Sequence, residues 1–259
     1  GVEFIENEGP VFKNPISNST DIKNLNHFDP ESLDYVYKAV NNIKSSLPEE
    51  IPLIGFCGSP WTLAAYSIEG RSSKDFEKTL GFLESNQKDV HDLLTKYTDA
   101  CFLYLRKQVQ SGADVIQIFD SWANLLTKED LIEFSFNYIN SLISALKLDP
   151  ITKNIPVIIF ARNPKCNIEE LINTSADCIS LFWSMNDLNF EVAKNKVAIQ
   201  GNLDPKILLE SDETIKRETY KILERFKEYP GYIFNLGHGI TPDISPDKIK
   251  YLTNIVREY

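Results

Sequence analysis

From position 52 onward the chain alternates between short apolar runs and longer segments of helical period, the pattern that specifies parallel strands joined by crossover helices. The runs 52–57, 115–119, 156–161, 178–183, 197–200 and 232–235 read as strands. Between the first two, Val90, Leu93, Leu94, Tyr97, Cys101 and Tyr104 recur at three- and four-residue spacing, an amphipathic helix packed on a sheet. Gly112 stands where a helix C-cap glycine belongs. Helix starts carry their own signals: Thr127 ahead of Glu129 and Asp130, Asn167 ahead of Glu169 and Glu170, and Ser245 followed by Pro246. The stretch 9–30, rich in Asn, Pro and Ser, reads as loop, and no internal repeat of matching sequence is visible. A single continuous domain over 1–259 is expected.

Six strand-and-helix units are countable, whereas a closed (β/α)8 barrel needs eight and roughly 250 residues. The expected fold is an α/β TIM barrel whose first two βα units are missing from this chain. A doubly wound open sheet is the alternative, although no G-x-G-x-x-G follows any strand.

Composition narrows the partners. With 37 acidic against 27 basic residues the net charge is -10, which repels nucleic acid and anionic lipid at long range, so neither partner is expected. No apolar run reaches the length of a membrane helix, and the acidic N-terminus is unlike a signal peptide. Cys57, Cys101, Cys166 and Cys178 lack zinc-ligand or disulfide-framework spacing, which points to a reducing compartment and no metal.

In a barrel the chemistry sits at the C-terminal ends of the strands. Those ends read GFCGSPWT (55–62), FDSW (119–122), ARN (161–163), QGNLDP (200–205) and NLGHG (235–239), small and polar residues that suit a wide pocket for a bulky ligand. His238, between two glycines, could hydrogen-bond a carboxylate, whereas His27 and His91 read as surface or helix-packing residues. Phe119 would be an apolar wall and Arg162 a guanidinium for a carboxylate. Gln200, Asn202 and Asp204 read as loop braces.

Four segments, GFCGSPWTLAAYSIEG (55–70), GADVIQIFDSWA (112–123), IQGNLDP (199–205) and YIFNLGHGI (232–240), resemble successive signatures of the uroporphyrinogen decarboxylase family, and GVEFIENEGPVFKNPI extends the resemblance to the start of the chain. The resemblance implies cofactor-free removal of CO2 from the four acetate side chains of uroporphyrinogen to give coproporphyrinogen, in heme biosynthesis. In that chemistry the protonated pyrrole is itself the electron sink, so the protein supplies a proton donor, stabilises a cation and holds a polycarboxylate. It further implies Tyr66 as a catalytic and substrate-binding phenol, Ser121 as a carboxylate hydrogen-bond donor, and His238, Phe119 and Arg162 as substrate contacts. A homodimer in the cytoplasm is implied too, or a plastid enzyme if a transit peptide came first.

The sequence also departs from the family pattern. Neither the arginine-rich M-R-Q-A-G-R motif nor F-S-D occurs, the glycine run after Glu69 is interrupted by Arg71, and Phe182 stands where an aspartate precedes the tryptophan. Two absent strands would cost more than the ~5–15 kcal/mol by which a domain is stable, so the chain is expected to be a fragment, inactive by itself. Two other readings remain: a zinc- and corrinoid-linked methyltransferase of the same fold, for which no cysteine lies two residues from His238, and a porphyrin-binding scaffold that has lost catalysis.

Overall fold

The computed structural model describes residues 2–5, 9–186 and 188–259. Part of the stretch 9–30 expected to be loop takes regular structure: β2 (Gly9–Phe12) pairs with β1 (Val2–Ile5) as an antiparallel hairpin, and α1 (Ser19–Lys23) follows. Local chemistry explains the helix, since the Asn18 side chain caps the backbone N–H groups of Thr20 and Asp21 while Ile22 is buried. Helix α2 (Asp34–Ser46) then leads into the sheet.

The six apolar runs become β3 (Ile54–Gly58), β4 (Val115–Asp120), β5 (Val157–Ala161), β6 (Cys178–Ser180), β7 (Ala198–Gln200) and β8 (Tyr232–Ile233). They form one parallel sheet in strict chain order. A doubly wound sheet reverses strand order at a switch point; this one never does, so that alternative is corrected and the architecture is the α/β-barrel type. The intervening helices include α3 (Pro60–Glu69), α4 (Glu77–Ser85), α5 (Gln87–Gln110), α6 (Asn137–Leu148), α7 (Ile168–Ile172), α8 (Asp212–Phe226) and α9 (Pro246–Glu258).

The barrel is not closed, because β3 and β8 do not pair. The strand pattern at both edges shows what is left uncovered. On β3, Gly55 and Cys57 are buried on the helix side, whereas Ile54 and Phe56, facing the other way, are 43% and 60% exposed; on β8, Ile233 is 45% exposed. One pair of edge groups on β3 is capped by a side chain: the Gln108 carboxamide of α5 donates to the Phe56 carbonyl (2.9 Å) and accepts from its N–H (3.0 Å). Gly55 makes room for it, since a Cβ there would lie 2.9 Å from Gln108 Oε1.

At the N-terminal ends of the strands the structure holds a short repeat that the pattern along the chain does not reveal. The segments SGADVI (111–116) and TSADCI (174–179) make the same clamp. The Asp114 carboxylate accepts from the Leu53 N–H (2.7 Å) and from Lys44 Nζ (2.7 Å), and Asp177 accepts from the Val157 N–H (2.7 Å) and Lys147 Nζ (2.6 Å). Each aspartate therefore ties the entry of its own strand to the entry of the strand before. The backbone N–H of Leu53, with Lys44 beside it, holds the Asp114 carboxyl below its usual range. Away from the sheet, His91 packs between helices as expected, stacked on Phe134 at 4.8 Å and bonded to the Tyr138 hydroxyl at 2.7 Å.

Candidate functional site

The C-terminal strand ends enclose a cavity of about 440 Å³ lined by Gln117, Phe119, Ser121, Phe160, Ser180, Asn235, Leu236, His238, Gly239 and Ile240. Strand register sets the depth of each group. Phe119, Phe160, Ser180 and Gln200 are cross-strand neighbours at one level, and Gln117, beside Ile158, lies two residues deeper. Aromatic rings form one wall: Phe119 to Phe160 at 5.9 Å and Phe160 to Phe182 at 6.5 Å between centroids. The His238 imidazole meets Phe160 and Phe182 edge-on, at 6.3 and 6.0 Å. Phe182, the residue found in place of an aspartate, thus presents hydrocarbon to the imidazole.

Three of the five expected site residues, Phe119, Ser121 and His238, line this one cavity. The other two meet at Trp122 instead. Tyr66 on α3 packs edge-on against the Trp122 ring at 5.6 Å, and the Arg162 guanidinium lies 5.5 Å from the centroid of the same ring. Neither is among the cavity-lining residues. Arg162 has no carboxylate partner among the described residues. Phe76 completes the aromatic group, 4.2 Å from Trp122 and 6.0 Å from Tyr66; it is fully buried in a left-handed conformation (φ 50°), an uncommon position for a bulky residue.

Two groups important to this geometry lie outside the sequence expectations. Asp120 is fully buried behind the cavity. Its carboxylate accepts from the hydroxyls of Ser59 (3.1 Å), Thr62 (3.2 Å) and Ser135 and from the Trp122 N–H, while the Thr62 hydroxyl oxygen accepts from the Ser121 N–H (2.9 Å). The N-terminus of α3, the strand end and the π-helical turn Leu131–Phe136 that carries Ser135 are thereby fastened together beneath Ser121. Burial pushes the Asp120 carboxyl up to about 6 despite these donors. Gln117 is the second, and the sequence does carry a signal for it: a polar side chain inside the run Val115–Asp120, on the same face as Phe119. Asp120 has no comparable signal, because its partners come from three separate segments.

The loop carrying His238 is seated by Gly237, whose N–H donates to Leu203 O (2.8 Å) and whose missing side chain lets it touch Trp183; a Cβ there would stand 2.3 Å from Trp183 N. The loop residues read as braces behave as such in part. Gln200 donates to the Ser180 hydroxyl (3.0 Å), Asn202 to the Phe182 carbonyl (3.2 Å), and the Asp204 side chain caps Lys206 N (2.9 Å).

A sequential parallel sheet with a cavity at its carboxyl ends places the molecule in the α/β-barrel class, and solved structures share that fold. A methyltransferase from Methanosarcina mazei superposes with a TM-score of 0.76 over 100% of this chain and 75% of its own, at 18% identity. A B12-independent methionine synthase from Shewanella sp. W3-18-1 gives 0.59 at 14% identity. At such identities the likeness is one of fold. The sequence goes further: the chain belongs to the uroporphyrinogen decarboxylase family, whose model, described as Uroporphyrinogen decarboxylase (URO-D), matches residues 1–259. The uroporphyrinogen decarboxylase of Vesicomyosocius okutanii is 42% identical over 100% of this chain and 74% of its own length, and that of Wigglesworthia glossinidia brevipalpis is 43% identical over 98% and 71%.

Proposed function

We propose that the protein is a uroporphyrinogen decarboxylase, removing CO2 from the four acetate side chains of uroporphyrinogen III to give coproporphyrinogen III. The observation that carries the reading is the match to the uroporphyrinogen decarboxylases above along the whole chain. The strand-end cavity supports it, with hydrogen-bonding groups and aromatic walls but no Asp or Glu among its described lining residues, a setting that suits a polycarboxylate with an apolar core. The test is anaerobic incubation of the purified full-length protein with uroporphyrinogen III. Stepwise loss of carboxylates down to the four-carboxylate product is the expected result; binding of the porphyrinogen without any loss of CO2 selects the scaffold reading.

In this reading Ser121 and His238 hydrogen-bond substrate carboxylates, Phe119 supports the flat face of a pyrrole, and Arg162, stacked on Trp122 and free of acid partners among the described residues, neutralises a carboxylate at the rim. Tyr66, braced by Trp122 and Phe76, offers its phenol to a carboxylate or to a neighbouring catalytic group. As CO2 leaves, the electrons of the broken C–C bond neutralise the protonated pyrrole as an exocyclic methylene; a proton added to that CH2 makes the methyl group, and loss of the proton first placed on the ring carbon restores the pyrrole. Replacing His238 by glutamine is expected to raise KM for uroporphyrinogen about fivefold, the worth of one hydrogen bond, with a smaller change in kcat; steady-state kinetics on the eight-carboxylate substrate reads both.

The domain proposal is a single barrel in which two further parallel strands lie between β3 and β8, supported by the exposed inner side chains Ile54, Phe56 and Ile233 at those edges. A strand arriving at β3 would exchange the two Gln108 hydrogen bonds for ladder bonds. A homodimer and a cytoplasmic setting complete the reading on family likeness. No helix among the described residues is long and apolar enough to cross a membrane.

A further inference from the structure

We propose that Gln117 and Ser180 form the floor of the cavity and hold one side-chain carboxylate of the substrate, an inference that rests on the tetrapyrrole reading above. Gln117 is 7% and Ser180 4% exposed, and both line the cavity. The Gln117 carboxamide makes no hydrogen bond to any described residue. Its two cross-strand neighbours, Phe56 on β3 and Ile158 on β5, are hydrocarbon. A buried amide with no protein partner is costly to fold, so a polar side chain in the middle of an apolar strand, opening only on the cavity, is explained by a ligand that satisfies it.

The chemistry of the floor selects the ligand. Gln200 Nε2 donates to Ser180 Oγ at 3.0 Å, which occupies a lone pair of the hydroxyl and leaves its proton for donation elsewhere. The Gln117 amide contributes N–H donors of its own. Two buried donors, in a cavity with no acidic side chain among its described lining residues, match a carboxylate, whose oxygens accept from both. Gln117 lies two residues below the level of Phe119 and Phe160, and Ser180 stands beside Phe160 at their level, so a carboxylate held between the two anchors a peripheral arm while the ring system stays against the aromatic walls.

Three variants of the complete protein test this. Gln117→Leu keeps the volume and removes the donors: KM for uroporphyrinogen III is expected to rise about tenfold with kcat less affected, the signature of lost binding energy. Ser180→Ala should move KM in the same direction. Gln117→Glu sets an anion against an anion and should be worse than the leucine variant. An unchanged KM for Gln117→Leu overturns the proposal. So does a Gln117→Glu protein that matches or exceeds Gln117→Leu, because that outcome means the group accepts from a pyrrole N–H instead. If the wild-type protein shows no decarboxylation, the functional reading fails separately, and the floor is tested by coproporphyrin III titration followed by porphyrin fluorescence, with a Kd about tenfold weaker for Gln117→Leu expected and an equal Kd overturning the proposal.

Discussion

An alanine at position 237 is expected to destabilise the protein by roughly 2–4 kcal/mol, since a Cβ at that site would stand 2.3 Å from Trp183 N and 2.5 Å from Trp183 Cα. The atoms in the way are backbone, so no rotamer change relieves the clash; either the segment 235–239 lifts away or the turn at Trp183 is pushed aside. His238 moves in the first case and Phe182 in the second, so the edge-on contact between them is lost in both. Thermal unfolding should show a midpoint lower by several degrees, and any decarboxylase activity should fall well beyond what the residual folded fraction explains. Gly239 is the internal control, because a Cβ there would meet nothing within 4 Å; its alanine variant should melt with the wild type. Equal melting of the two alanine variants would contradict the packing of this loop.

The second large effect is expected at Asp120. Replacement by alanine leaves three hydroxyls and the Trp122 N–H without their shared acceptor in a fully buried site, a loss of about 3–5 kcal/mol. The asparagine variant separates charge from packing and carries a pH signature. The folded carboxyl titrates at about 6 and the unfolded one near 3.8, so between those values the folded state binds more protons. The stability contributed by this group is therefore fully present below pH 3.8 and is lost as pH rises through about 6. Carboxylates such as Asp114 and Glu218, held below their usual range by hydrogen bonds from a backbone N–H or from lysine and arginine side chains, act in the opposite sense. The informative quantity is the difference between the unfolding free energies of wild type and Asp120→Asn, which should shrink by about 3 kcal/mol over this window. A flat difference would mean that Asp120 is charged in the fold at low cost.

These two sites also mark the limits of reading the chain by pattern. The strands are legible because each is a short apolar run flanked by helical period, and six of them in line point directly to the barrel. Phe119, Ser121 and His238 are legible because they sit at strand ends, and the structure gathers them around one cavity. Tyr66 and Arg162 are expected to face the same ligand, yet their common neighbour is Trp122, a contact between α3 and two strand ends that no spacing encodes. Asp120 escapes pattern for a related reason: its meaning lies in Ser59, Thr62 and Ser135, which are 61, 58 and 15 residues away. The ordered hairpin and the Asn18-capped helix are hidden by composition, because Asn and Ser mark loops and helix caps alike.

The paired aspartate clamps at the far end of the sheet bear on how the cavity is gauged. A parallel strand that slips by one residue turns every side chain to the opposite face, which on β4 would send Gln117 and Phe119 outward among the helices. Asp114 prevents this by fastening the start of β4 to Leu53, and Asp177 does the same for β6 against Val157. The datum for the pocket is therefore kept about five residues below Phe119, about 17 Å along the strand, on the face that never meets a ligand. Alignment of the reacting groups is inherited from the foundation of the sheet, and a change as small as Asp114→Asn would be read out at the mouth as misplaced aromatic rings.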